Sequence, residues 1–292
     1  MHNPHVMKII SVGLSWALMY IVYIVPGVVS AVTTIACLGD SITAGSGASD
    51  KASTSYPPML QQYLNEHRLG QYECINYGVG GKTVQKMGKA DNGDTFSYWD
   101  TKAFKAVMKK SEEEVPDVVI MQFGTNDAKT QNWDEAMFMK DYTALINIFK
   151  EMNPTPKIYI CIPPPLYRPF SKIRHDIVNQ SLGRVIEAIG KRNEVQVVDW
   201  FKHLGGAALS RPHLFMTHSK ELKWPNDGCH PNDIGYRVIA RILCSKILGE
   251  KYKGISPDID SEEDGADESM KSRLEVALEK DRKQLGYDYR AP

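Results

Sequence analysis

Short runs rich in β-branched and aliphatic residues recur along this chain, at 34–38, 72–76, 117–123, 157–162 and 195–200. Stretches with helical spacing of apolar residues separate them, at 57–67, 99–110, 133–152 and 174–192. A last one, over 234–248, has Asn232 or Asp233 placed as its N-cap. A continuous apolar run of strand length suits a strand covered on both faces. Strand–helix alternation sustained over this length predicts an α/β fold, a parallel sheet with helices on both sides.

A parallel sheet gathers the loops that follow its strands along one edge, and ligands bind there. The first run is followed by Gly39-Asp40-Ser41-Ile42-Thr43 and the second by Asn76-Tyr77-Gly78-Val79-Gly80-Gly81-Lys82-Thr83. The third is followed by Gly124-Thr125-Asn126-Asp127, and Asp227-Gly228-Cys229-His230-Pro231 stands just before the last helix. Acyl transfer needs these parts. A serine hydroxyl becomes a nucleophile when an imidazole takes its proton, and a carboxylate fixes the imidazole tautomer. Ser41, His230 and Asp227 can fill those roles. The N–H groups of Ser41 and Gly81 and the side-chain amide of Asn126 can face the oxyanion of a tetrahedral intermediate.

Each block alone has a plain structural reading. Ser41 could cap a helix, the glycines could form a turn, Asn126-Asp127 could cap a loop, and His230 could be a surface histidine. Their joint occurrence in order, each at a strand end, favours the catalytic reading. Together GDS at 39–41, NYGVGGKT at 76–83, GTND at 124–127 and DGCHPN at 227–232 resemble the SGNH (GDSL) hydrolases over about residues 33–250. The resemblance implies a flavodoxin-like three-layer α/β/α sandwich with a five-stranded parallel sheet. It also implies Ser41 as nucleophile, His230 as base, Asp227 as its orienting partner, and Gly81 (adjacent to Gly80) with Asn126 in the oxyanion hole. The flanking SITAGSGASD, SYP, YW and IPPPLY are similar to the sialate O-acetylesterase-like, or carbohydrate acetylesterase, branch. Cys229 stands where that family pattern has an aliphatic residue.

The flanks differ from the centre. Lys8 is the only charged residue before Asp40, and the uncharged stretch 9–25 leads to Val29-Ser30-Ala31. This is the pattern of a secretory signal peptide cleaved after Ala31, with an uncleaved signal anchor as the alternative. No later segment reaches spanning length, so a soluble, secreted or lumenal mature protein is expected. Residues 32–253 then form the catalytic domain. Residues 254–292 carry 11 acidic and 6 basic groups, and read as an acidic linker with a short amphipathic helix around Met270–Leu285. The whole chain balances 35 Lys+Arg against 35 Asp+Glu, which gives no reason to expect nucleic acid as a partner.

The five cysteines form no C-x-x-C pair, and no H-E-x-x-H is present, so neither a metal nor another cofactor is implied. Cys37, Cys74 and Cys161 lie in apolar runs and read as buried hydrophobes. Asn179-Gln180-Ser181 is a glycosylation sequon. Among the aromatic residues near the blocks, Tyr98 and Trp99 are candidates for stacking on a sugar. Arg168, after Pro163–Pro165, is a candidate for facing the pocket, and His213 and His218 read as loop histidines. The expected function is a serine esterase that removes small acyl groups, acetyl foremost, from a small-molecule or glycan ester. A lipid-directed acylhydrolase and a non-catalytic sugar-binding module are the competing readings. Nothing in the pattern sets an oligomeric state.

Overall fold

The computed structural model describes residues 32–67, 71–215 and 227–249. The expected signal segment, the acidic tail, His218, Trp224 and the side chain of His213 lie outside the described residues. Five parallel strands form one sheet: β1 (Thr33–Gly39), β2 (Tyr72–Gly78), β3 (Val118–Gln122), β4 (Lys157–Ile162) and β5 (Gln196–Asp199). Their order is β2-β1-β3-β4-β5, the flavodoxin-like arrangement, and the strand order reverses between β1 and β3. In register, Gly39 stands beside Gly78 on one side and Gln122 on the other.

The helices are α1 (Tyr56–His67), α2 (Lys102–Glu113), α3 (Glu135–Lys150), α4 (Leu182–Asn193), the single turn α5 (Trp200–His203) and α6 (Asp233–Leu248). Alternation of side chains along each strand divides the core into two layers. Ile35, Cys37, Val118, Ile120, Tyr159 and Cys161 face the layer that contains residues of α1 and α6. Ala36, Leu38, Val119, Met121, Ile158 and Ile160 face the layer of α2, α3 and α4. In α3 the buried Phe138, Tyr142, Leu145, Ile146 and Phe149 recur at three- and four-residue spacing and so occupy one face.

Three expectations need correction. The apolar run of β2 predicts burial on both faces, but most of its residues are half-buried because it is an edge strand. The second helix begins at Lys102 rather than Trp99, because Thr101 is extended and its hydroxyl accepts the Phe104 N–H. The stretch 174–192 opens with a π-helical turn, Ile177–Ser181, ahead of α4. Of the two cap candidates for α6, Asn232 fills the position, accepting the Gly235 N–H at 3.0 Å. All five cysteines are free thiols; Cys37 and Cys161 are fully buried, whereas Cys74, on the edge strand, is half-buried.

Candidate active site

The turn after β1 begins at Gly39, where a Cβ would overlap the Thr43 side chain and come within 2.6 Å of the Gln122 carbonyl. Only glycine tolerates that approach. Asp40 follows, fully buried, with Oδ1 accepting the Ile42 N–H at 2.9 Å and Oδ2 facing the amides of Gln122 and Asn126, each at 3.4 Å. This anchorage leaves Ser41 at the cavity edge.

The turn before α6 faces it. His230 Nε2 lies 2.8 Å from Ser41 Oγ, and His230 Nδ1 lies 2.5 Å from Asp227 Oδ2. The other carboxylate oxygen of Asp227 accepts the backbone N–H groups of Cys229 (2.8 Å) and His230 (2.9 Å). Burial pushes this carboxyl up, but the imidazole and the two N–H groups outweigh it and hold Asp227 below the usual carboxylate range. The turn closes through Gly228 at φ +68, where a Cβ would lie 2.7 Å from the Arg168 nitrogen.

The loop after β4 braces that turn. The Tyr167 N–H donates to the Gly228 carbonyl at 2.7 Å. Both backbone groups of Leu166 are held at 2.9 Å by the Asn179 side chain, in the π-helical turn. Asn179 is thus 8 % exposed and fully engaged, and the sequon reading gives way to a structural one. From the opposite side, the Tyr236 hydroxyl of α6 donates to the Ser46 carbonyl at 2.6 Å, tying the serine turn to the same helix.

The oxyanion candidates occupy the third side. Gly81, at φ +78, lines the cavity, and a Cβ there would lie 2.9 Å from Phe96 Cε2. Among the described residues neither the Ser41 nor the Gly81 N–H is taken by a protein acceptor. Asn126 Nδ2 has only two long contacts, at 3.4 Å, to Asp40 Oδ2 and the Lys82 carbonyl. The adjacent Asp127 is fully buried and accepts the N–H groups of Gln85 (2.9 Å) and Val84 (3.3 Å), fastening the glycine loop to the loop after β3. Burial pushes Asp40 up to about 6 and Asp127 up to about 7, with the Asp40 charge adding to the latter. The sequence blocks include both aspartates but assign neither a site role; only their adjacency to Ser41 and Asn126 marks them.

The cavity against these residues has a volume of about 480 Å³. The expected substrate residues do not line it. Tyr98 is fully buried, its ring packed edge-on against Phe123 at 4.9 Å and its hydroxyl donating to the Tyr77 carbonyl. Trp99 donates to the Val84 carbonyl at 2.8 Å and lies under the Lys86 ammonium, so it braces the glycine loop. Arg168 lies against Gly228 in the turn before α6 and does not line the cavity. The cavity walls instead include Phe96, Lys129 and Phe170, the last meeting the His230 ring edge-on at 5.6 Å. Cys229 also reaches the cavity, but burial pushes its thiol well above the ordinary cysteine value, so it stays protonated and poorly nucleophilic. Among the described residues no group of His, Cys, Asp and Glu is placed to hold a metal ion, and no helix is long and apolar enough to cross a membrane.

A doubly wound sheet with a serine, histidine and aspartate in hydrogen-bonded sequence at its switch point has the architecture of a hydrolase. Residues 37–238 match the GDSL-like lipase/acylhydrolase family, and the chain belongs to it. An acetylxylan esterase from Xylanibacter ruminicola is 27 % identical over 231 residues, which is 73 % of this chain and 42 % of that protein. The chain therefore spans less than half the length of that relative. Among solved structures, an acetyl xylan esterase matches with a TM-score of 0.52 at 22 % identity, over 73 % of this chain and 99 % of its own. A lipase/acylhydrolase from Enterococcus faecalis matches with a TM-score of 0.54 at 22 % identity, over 77 % of this chain and 98 % of its own. At that identity the structures share the fold.

Proposed function

We propose that the protein is an exported serine esterase that hydrolyses O-acetyl esters on carbohydrate. The observation that carries the reading is the unbroken run Ser41 Oγ–His230 Nε2 (2.8 Å) and His230 Nδ1–Asp227 Oδ2 (2.5 Å) beside a cavity also lined by Gly81 and Asn126. Ser41 Oγ attacks the ester carbonyl carbon as His230 Nε2 takes its proton. The negative charge that forms on the carbonyl oxygen faces the N–H groups of Ser41 and Gly81 and the Asn126 amide, each donor contributing about 3 kcal/mol in comparable sites. Collapse expels the sugar alkoxide, which takes the proton from His230. Water, activated by the same imidazole, then releases acetate from the acyl-serine.

The acetylxylan esterase relative supports the carbohydrate target, and Lys8 with the apolar stretch 9–25 supports export, leaving Val32 as the mature N-terminus. Acetate release from acetylated glycans, compared with octanoyl esters and lysophospholipid, tests the reading. Acetyl preference lost in Ser41→Ala is expected; a preference for long acyl chains would overturn it in favour of a lipid substrate. N-terminal sequencing of protein recovered from the medium checks export.

A further inference from the structure

The cavity contains a second group of side chains that the acyl-transfer steps do not use. Lys129 is 5 % exposed, and among the described residues no other Lys or Arg is buried. Its ammonium donates to Ser171 Oγ at 2.9 Å and lies 3.8 Å from Asp91 Oδ1 and 5.7 Å from the Phe96 ring centre. All four residues line the cavity that reaches Ser41. A buried ammonium has three donors to satisfy, and among the described residues only Ser171 accepts one at hydrogen-bond distance. Asp91 forms an ion pair with Lys129 at a separation too long for a hydrogen bond.

This arrangement is held in place. Lys129 forms a backbone bridge with Ile173, and the Thr130 N–H donates to the Lys172 carbonyl at 3.0 Å. Ser171 and Lys172 are both left-handed, at φ 50 and 58, a conformation non-glycine residues adopt at a cost and which clusters at functional sites. Asp91 is held below the usual carboxylate range, first by its hydrogen bond from Gln131, and so stays an acceptor at neutral pH.

We propose that Lys129 and Asp91 form a subsite for a neutral sugar, in which one hydroxyl bridges them while Phe96 and Phe170 wall the ring. The inference rests on the glycan-ester reading above and extends it to named residues. A hydroxyl both accepts and donates, so it can accept a hydrogen bond from the ammonium and donate one to the carboxylate at about 2.8 Å from each, which fits a 3.8 Å gap. A carboxylate-bearing sugar could pair with Lys129 but would meet Asp91 and Asp94 on the same wall. An acyl chain would strip water from the ion pair and return no hydrogen bond.

Lys129→Met keeps the length of the buried stem, and Asp91→Asn alters only an exposed group. Each variant is measured for kcat/KM on an acetylated neutral oligosaccharide, an acetylated uronide and p-nitrophenyl acetate. The ratio of neutral-glycan to p-nitrophenyl activity is expected to fall at least tenfold in each variant, chiefly through KM, and the double variant to lose little more than either single one. An unchanged ratio in folded variants, or a wild-type preference for the uronide, overturns the subsite while the esterase stands. Wild type that cleaves p-nitrophenyl acetate but no glycan ester overturns the glycan reading itself and the subsite with it.

Discussion

Three aspartates surround this site, in two environments that give the same side chain opposite properties. Asp227, in the turn before α6, accepts two backbone N–H groups and the imidazole, and it is held below the usual carboxylate range. Asp40 and Asp127, at the ends of β1 and β3, are fully buried, repel each other, and are pushed up to about 6 and about 7. The difference follows from burial, which is complete for Asp40 and Asp127, and from the imidazole bonded to Asp227. Asp227 receives strong donors on both oxygens, whereas Asp40 has one good N–H and two long amide contacts. A carboxylate bonded to the imidazole stays charged; one fully buried without that bond sits closer to protonation, even where backbone N–H groups hold it.

The sharpest way to break the comparison is Asp227→Asn. Its remaining oxygen would keep the backbone donors, so its amide would point at His230 Nδ1 and force the proton onto Nε2, where Ser41 could no longer be deprotonated. We expect kcat to fall by about 10³- to 10⁴-fold with the melting temperature little changed. Asn126→Ala comes next: the oxyanion loses a donor, and kcat is expected to fall by about 10²- to 10³-fold with KM nearly constant. Steady-state kinetics with a soluble acetate ester, beside thermal melts, checks both. A variant that keeps wild-type kcat removes its residue from the proposed mechanism.

The buried aspartates predict a pH dependence of stability rather than of chemistry. Below about pH 4 folded and unfolded chains both carry the protons. Between about pH 4 and about 7 the unfolded chain has lost them while the folded one retains them, so folded stability falls as pH rises through this window and levels off above it. Asp127→Asn removes one titrating group and its repulsion of Asp40. The stability difference between wild type and variant should therefore change by an amount on the order of 3 kcal/mol across the window, in the sense that the variant gains on wild type as pH rises. Urea midpoints measured from pH 4 to 8 give that difference; a flat one would mean Asp127 ionises normally.

Much of the fold is legible in the linear pattern because a parallel strand needs an apolar run, and such runs are local. Each of the five runs overlaps a strand, and β4 has the expected bounds at both ends. What the pattern lacks is lateral position. The run at 72–76 resembles the others, yet it forms an edge strand, because strand order is set by crossovers and not by the strand's own residues. The same limit divides the site. Three of the four blocks follow strands and the fourth precedes α6, so each can be read from its place along the chain, whereas Lys129, Phe96 and Phe170 meet across three separate loops. Tyr98 and Trp99 are sugar-stacking candidates by sequence, but aromatic residues at a loop edge more often belong to the core. Thr101 delays the helix, and the freed segment packs both rings onto the core and the glycine loop.

The smallest expected effect falls on the residue between Gly228 and His230. Cys229 is 3 % exposed, next to His230, and occupies the position where the sequence departs from the family pattern. Its link to Asp227 runs through its backbone N–H, which alanine retains. Cys229→Ala therefore removes one buried sulfur, for a loss of about 1 kcal/mol in stability, and leaves the donors on Asp227 in place. We expect kcat/KM to fall less than about threefold, whereas Gly228→Ala, forced to keep a left-handed turn against the Arg168 backbone, should lose far more. A tenfold loss in Cys229→Ala would mean that the thiol itself supports the imidazole. The ready ionisation of Asp227 would then depend on side-chain packing as well as on the backbone turn.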